Sequence, residues 1–139
     1  MPHFALIPDE SLHTILPFIL LLNPKSDETT MLARLEEMRT QAYVCVGAYD
    51  GDRLIGVSGL WIMTKFYVGK HIEPDNVIIH PDYRGQGIGE QMLAWIFEYG
   101  RSQGCIASEL NCYVANKKGV RFWINRGYDI IGYHFQRSL

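Results

Sequence analysis

Arg84-Gly85-Gln86-Gly87-Ile88-Gly89 is the stretch on which the reading of this chain turns. Its three alternating glycines let the backbone turn tightly and expose N–H groups. Upstream lies Asn76-Val77-Ile78-Ile79-His80, whose consecutive β-branched residues favour extended backbone. Pro81 then removes a ladder donor and starts a turn. Downstream, Ile88, Met92, Leu93, Trp95, Ile96 and Tyr99 recur at helical spacing, which predicts an amphipathic helix over 87–103. Gly100 and Gly104 mark its decline. A strand, a glycine turn and a helix start in series make an anion site. The first-turn N–H groups lack partners, and the helix dipole is positive there. Phosphate is the natural occupant.

Three phosphate-binding patterns compete for this turn. A Walker loop ends in Gly-Lys-Ser/Thr, whereas Gly89 is followed by Glu90-Gln91, so that pattern fails. A dinucleotide fingerprint needs G-x-G-x-x-G after a βαβ start; Gly85, Gly87 and Gly89 are spaced G-x-G-x-G and no such unit precedes them. The third pattern, Arg-x-x-Gly-x-Gly, is filled by Arg84, Gly87 and Gly89. It resembles the pyrophosphate-binding signature of the GNAT N-acetyltransferase superfamily, which uses acetyl-coenzyme A. The plain alternative is a strand-to-helix turn without a ligand.

Composition bounds the rest. At 139 residues the chain suits one domain, 1–139, with one buried core. Its 47% hydrophobic and 20% charged content marks a globular chain rather than a disordered one. A net charge of −2 gives no electrostatic pull toward nucleic acid. Cys45, Cys105 and Cys112 are isolated and lie in apolar runs, which points to buried thiols in a reducing compartment. The apolar run 15–22 contains Pro17, is too short to span a bilayer and lacks signal-peptide flanks, so the expected location is cytoplasmic, with no membrane partner.

The coarse pattern predicts an α+β layout: a mixed, mostly antiparallel sheet flanked by helices. Strands are expected at 3–7, 43–48, 53–63, 71–80, 106–112 and 128–136. Helices are expected at 10–21, capped by Asp9 or Ser11, at 27–40, capped by Ser26 or Asp27, at 87–103, and at 116–125, capped by Asn116. Asp50-Gly51 signals a hairpin, and 64–70 a loop. This order resembles the GNAT fold from end to end, most strongly over 72–128. Only about eleven residues follow Tyr128, where many members carry two strands. A missing last strand would leave an open edge, inviting a homodimer.

The resemblance implies roles for particular residues. In the family, the strand before the glycine turn splays from the following strand, and the pantetheine arm lies in the gap. The backbones of Val77, Ile78 and Ile79 would then hold that arm and polarise the thioester carbonyl. The N–H groups of Gly85, Gln86, Gly87, Ile88, Gly89 and Glu90 would hold the pyrophosphate, with Arg84 beside them. Asn116 matches a cofactor-contacting asparagine, although an ordinary helix cap explains it equally. Asn116…Gly119…Phe122-Trp123…Gly127-Tyr128 resembles the family pattern N-x-x-A-x-x-F-Y-x-x-x-G-F. Trp123 replaces the tyrosine proposed to protonate departing thiolate, a task indole does not perform. Tyr113, Tyr128, Tyr133, water or unassisted departure remain.

The attacking amine, mostly ammonium at neutral pH, needs a base. Glu73, four residues before Val77, matches the glutamate of the histone-acetyltransferase branch. Asp75, of the same strand parity, is the runner-up. Other branches use a glutamate where Asn111 stands here, and Glu109, on the same face, is a weaker candidate. Solvated carboxylates beside Pro74 are the plain alternative. His71, Glu73 and Asp75 alternate on one face, but three ligands without a fourth fall short of a closed metal site. The implied activity is transfer of acetyl from acetyl-coenzyme A directly to a small-molecule or peptide amine in a ternary complex. A catalytically silent acyl-coenzyme A-binding module is the second reading, favoured by Trp123 and Asn111.

Overall fold

The computed structural model describes residues 1–139. Its sheet has five strands in chain order: β1 (His3–Leu6), β2 (Val44–Asp50), β3 (Arg53–Lys65), β4 (Gly69–Ile79) and β5 (Ala107–Ser108). The first four pair antiparallel, and β5 joins β4 in parallel. The expected α+β, mostly antiparallel architecture is what forms. The β2–β3 hairpin closes at Asp50-Gly51, where Gly51 adopts φ +60°. Between β3 and β4 the turn is only Phe66–Val68, because both strands run further than the expected loop over 64–70 allowed.

Helices cover both faces. α1 (Leu16–Leu22) and α2 (Glu28–Arg39) lie on one side, where Leu12, Ile15, Leu16, Phe18 and Leu35 pack with Tyr43, Cys45, Val57 and Ile78. α3 (Ile88–Ser102) lies on the other, where Ile88, Met92 and Ile96 pack with Val46, Ile55, Leu60 and Ile72. The apolar stripe read from α3 is therefore its packing face. Gly100 lets α3 sit close to β4, since a Cβ there would stand 2.9 Å from Ile72 Cγ2. No helix is long and apolar enough to cross a membrane.

Several expectations are corrected. The helix expected over 10–21 begins as a 3-10 turn, Asp9–Ile15, and becomes α-helical only from Leu16. Pro17 has no N–H to give to the preceding turn, so the α ladder restarts around it. Neither Asp9 nor Ser11 caps it, and Pro8 holds the cap position. For α2 the cap is Asp27, whose Oδ2 accepts from Thr30 N–H at 3.0 Å. β5 is two residues rather than the expected 106–112. The strand expected over 128–136 does not form, and Ile130, Ile131, Tyr133 and Phe135 are exposed. Of the three thiols only Cys45 is fully buried, and burial pushes it up to about 12; Cys105 and Cys112 are half-buried.

Candidate active site

β4 and β5 part almost as soon as they meet. Their pairing covers His71 with Ala107 and Ile72 with Ser108, and Glu109 N–H still reaches the Ile72 carbonyl at 3.1 Å. From Glu73 to Ile79 the β5 side of β4 carries no strand. Backbone polar groups along such an edge are open to a ligand that pairs like an added strand. β4 is also kinked within this stretch. Gly59 pairs with Asp75 and Val57 with Ile78, so Asn76 and Val77 together oppose Ser58. Asn76 takes φ +53°, a left-handed conformation uncommon for residues other than glycine. A bulge of this kind twists a strand and re-aims its side chains.

At the lower end of the gap stands the glycine turn. Gly85 and Gly87 adopt φ +75° and +77°, and Gly87 occupies the cap position of α3. The first α3 bond runs from Gln91 N–H to the Gly87 carbonyl. The N–H groups of Gly85 through Glu90 have no protein acceptor, and no side chain caps the helix. Arg84 donates from Nε to the Ile79 carbonyl at 3.1 Å, tying the turn to the end of β4 and leaving the terminal guanidinium nitrogens free. These residues border a cleft of about 380 Å³ closed on its far side by Phe122, Asn125 and Arg126. Arg126 pairs with Glu90 Oε1 at 2.5 Å and lies over the Phe122 ring. Sequence reasoning missed Arg126; its place one helical turn after Phe122 is the signal that puts it on this face. Unpartnered amides beside the Arg84 guanidinium suit a phosphate-bearing ligand.

The upper end is the apex where β4 and β5 separate. Here Tyr67, His71, Glu73 and Glu109 come together from three segments. His71, completely buried, lies with Nε2 at 2.9 Å from Glu73 Oε2 and 3.8 Å from Glu109 Oε1. Glu109 Oε1 accepts from the Tyr67 hydroxyl at 2.5 Å, and that contact raises the tyrosine above its ordinary value. The two carboxylates are 15% and 18% exposed, so they meet solvent or substrate on one side and the imidazole on the other. Asp75, the runner-up base, stands apart and accepts from Trp61 Nε1–H at 3.0 Å. His71, Glu73 and Glu109 thus form the triplet, rather than His71, Glu73 and Asp75. Asn111 is exposed. Val77 and Ile79 point their side chains toward the α3 core and Ile78 toward the opposite one.

The remaining candidates fall on the short helix α4 (Lys117–Asn125) and beyond. Asn116 caps it, Oδ1 accepting from Gly119 N–H at 3.0 Å. Trp123 is half-buried, edge-on to both Phe122 and Tyr128. The Tyr128 hydroxyl shares a hydrogen bond of 2.6 Å with Ser108 Oγ, and burial raises this tyrosine. Tyr113 and Tyr133 are exposed. Of the tyrosines considered as acids, only Tyr128 is held against the sheet.

A strand opened at a bulge, a glycine turn of unpartnered amides and a carboxylate apex together line one gap in the sheet. The family model of the acetyltransferase (GNAT) family matches residues 12–128. The chain is 33% identical over 93 residues to the aminoalkylphosphonate N-acetyltransferase of Salmonella typhimurium, a match covering 66% of this chain and 60% of that protein. It is 30% identical over 104 residues to the glucosamine 6-phosphate N-acetyltransferase of Trypanosoma brucei brucei, covering 70% and 67% of the two chains. The match thus spans about three fifths of the first relative and two thirds of the second. In three dimensions the chain superposes on the aminoglycoside N-acetyltransferase AAC(6')-Iy in complex with CoA with a TM-score of 0.84. That match covers 99% of this chain and 95% of the other at 17% identity, a likeness of fold. With the family pattern spanning most of its length, the chain belongs to the acetyltransferase (GNAT) family.

Proposed function

We propose that this protein is an acetyl-coenzyme A-dependent N-acetyltransferase acting on a cationic amine by direct attack in a ternary complex. The observation that carries this reading is the run of six unpartnered amides, Gly85 to Glu90, at the mouth of the open β4 edge. A pyrophosphate at that turn satisfies amides that otherwise face only water. The pantetheine arm then lies along Val77, Ile78 and Ile79, and the thioester reaches the bulge. A backbone N–H aimed at the carbonyl oxygen stabilises the tetrahedral oxyanion. Arg84 adds positive charge near the diphosphate, Arg126 is held by Glu90 at the wall of the cleft, and Asn116 caps the helix that forms that wall.

Glu73 is the base in this reading. It stands at the apex, beyond the far end of an arm laid on β4, where the amine must approach. It takes the proton from the ammonium so that the neutral amine attacks. Glu109 and Tyr67 complete an acidic, aromatic mouth suited to a cation. The relatives' named acceptors are small amines, and a small-molecule amine is the acceptor class proposed here. We also infer a homodimer. The exposed Ile130, Ile131, Tyr133 and Phe135 follow a sheet edge only two residues long, and a second copy covers both. Light scattering that shows only monomer at micromolar concentration overturns it.

Titration calorimetry with coenzyme A tests the main reading. Saturable binding is expected, together with thiol release when acetyl-coenzyme A and a panel of amines are supplied. No heat at about millimolar ligand overturns it. Binding without turnover on any amine favours the silent module instead.

A further inference from the structure

Both ring nitrogens of His71 face acceptors. Nδ1 stands 3.1 Å from the Gly69 carbonyl oxygen and Nε2 stands 2.9 Å from Glu73 Oε2. A carbonyl oxygen only accepts, and so does an ionised carboxylate. A neutral imidazole carries one N–H and satisfies one of these contacts. At the other, two lone pairs would face each other inside a completely buried ring site that water does not reach. A proton on the line from Nε2 to Oε2 removes the conflict. The ring is faced by Glu73 from β4, by Glu109 from the segment after β5, and through Glu109 by Tyr67 from the β3–β4 turn. Of the helices that pack against β4, α1 carries no titratable side chain, and α3 lies on the opposite face of the sheet, against Ile72. Neither carboxylate has a lysine or arginine partner.

We propose that His71, Glu73 and Glu109 act as one proton-holding unit that carries a single proton at rest, shared between His71 Nε2 and Glu73 Oε2. This rests on the acetyl-transfer reading with Glu73 as base. Two carboxylates and one proton on three basic sites leave a net charge of −1, which matches an arriving ammonium. The ammonium gives one proton to the unit, which becomes neutral, and the free amine attacks the thioester carbon. Its remaining surplus proton leaves with the thiolate as coenzyme A thiol. The unit returns its extra proton to water at the solvent-facing side of its carboxylates. The products are amide, thiol and one proton, as the stoichiometry requires. His71 is a positioning residue: the Gly69 carbonyl fixes the ring so that Nε2 aims at Glu73.

Two measurements test this. The first is the nitrogen NMR spectrum of the histidine rings in labelled protein at pH 7.5, with the four other histidines as references. Both His71 nitrogens are expected to be protonated in the wild type and only one in Glu73→Gln. A single protonated nitrogen in the wild type overturns the proposal. The second is the pH profile of kcat/KM in His71→Gln. Without the imidazole, two neighbouring carboxylates take up a proton more readily, so the acid limb moves up by about one pH unit. Coenzyme A affinity stays unchanged. An unmoved acid limb in a folded variant overturns the proposal. If His71→Gln does not fold, the spectra of the wild type and Glu73→Gln decide. Failure of the wild type to bind coenzyme A sinks the acetyl-transfer reading, and the ring spectrum still judges the unit separately.

Discussion

At one end of the β4–β5 gap a single run of residues, Arg84 to Glu90, makes the surface a ligand would meet. At the other end, Tyr67, His71, Glu73 and Glu109 make it from three segments. The first end works through backbone, the second through side chains. A glycine turn followed by a helix offers the same amides in any fold that lets it project. A carboxylate cluster exists only when strand register and splay bring its members together. The lower end is therefore a transferable device, and the apex is particular to this chain's sheet.

Breaking the apex should cost the most. Glu73→Gln is expected to lower kcat by about 10²- to 10³-fold near neutral pH while leaving coenzyme A affinity within about twofold. The sign of the pH effect follows from the amine. Its neutral fraction grows about tenfold per pH unit below its pKa, so the deficit of Glu73→Gln shrinks as pH rises. A deficit that is constant with pH moves the base to Asp75, Glu109 or bulk water.

Breaking the backbone device should act on binding instead. Gly87 holds φ +77° at the start of α3, a conformation that a β-branched side chain resists by about 1–3 kcal/mol. Gly87→Val is therefore expected to weaken coenzyme A binding by roughly 10- to 100-fold in calorimetry. Equal loss of affinity in Glu73→Gln and Gly87→Val would erase the distinction between the two ends.

Smaller effects sharpen it. Asn116→Ala removes the cap on α4 and should cost about 1 kcal/mol, read as a lower melting temperature. A fall in coenzyme A affinity beyond a few-fold would give Asn116 a direct contact in addition to its cap. Tyr67→Phe removes the hydrogen bond to Glu109 and should raise KM for the amine about threefold with little change in kcat. A kcat effect as large as that of Glu73→Gln would place the tyrosine in the chemistry.

Legibility followed the range of the interactions involved. The glycine turn, the α3 stripe, the Asp50-Gly51 hairpin and the Asp27 and Asn116 caps are local, and each appears in the structure where its residues imply it. The interruption of the first helix is also written locally, in Pro17, although apolar spacing alone implies a continuous helix. The ends of β5 and the fate of 128–136 were not legible, because an apolar run pairs only if a neighbouring strand is within reach. Glu109 ranked low by offset alone, and the structure sets it beside Glu73 through His71.

By itself the order of residues determined the glycine turn, the α+β layout and the family pattern, since these depend on backbone preference and periodicity over a few residues. Only tertiary structure decided that β4 and β5 separate after Ile72, that Asn76 bulges, and that one buried imidazole faces two carboxylates. Contacts between residues 38 positions apart, such as His71 and Glu109, depend on how strands are registered and splayed, and no local spacing records that.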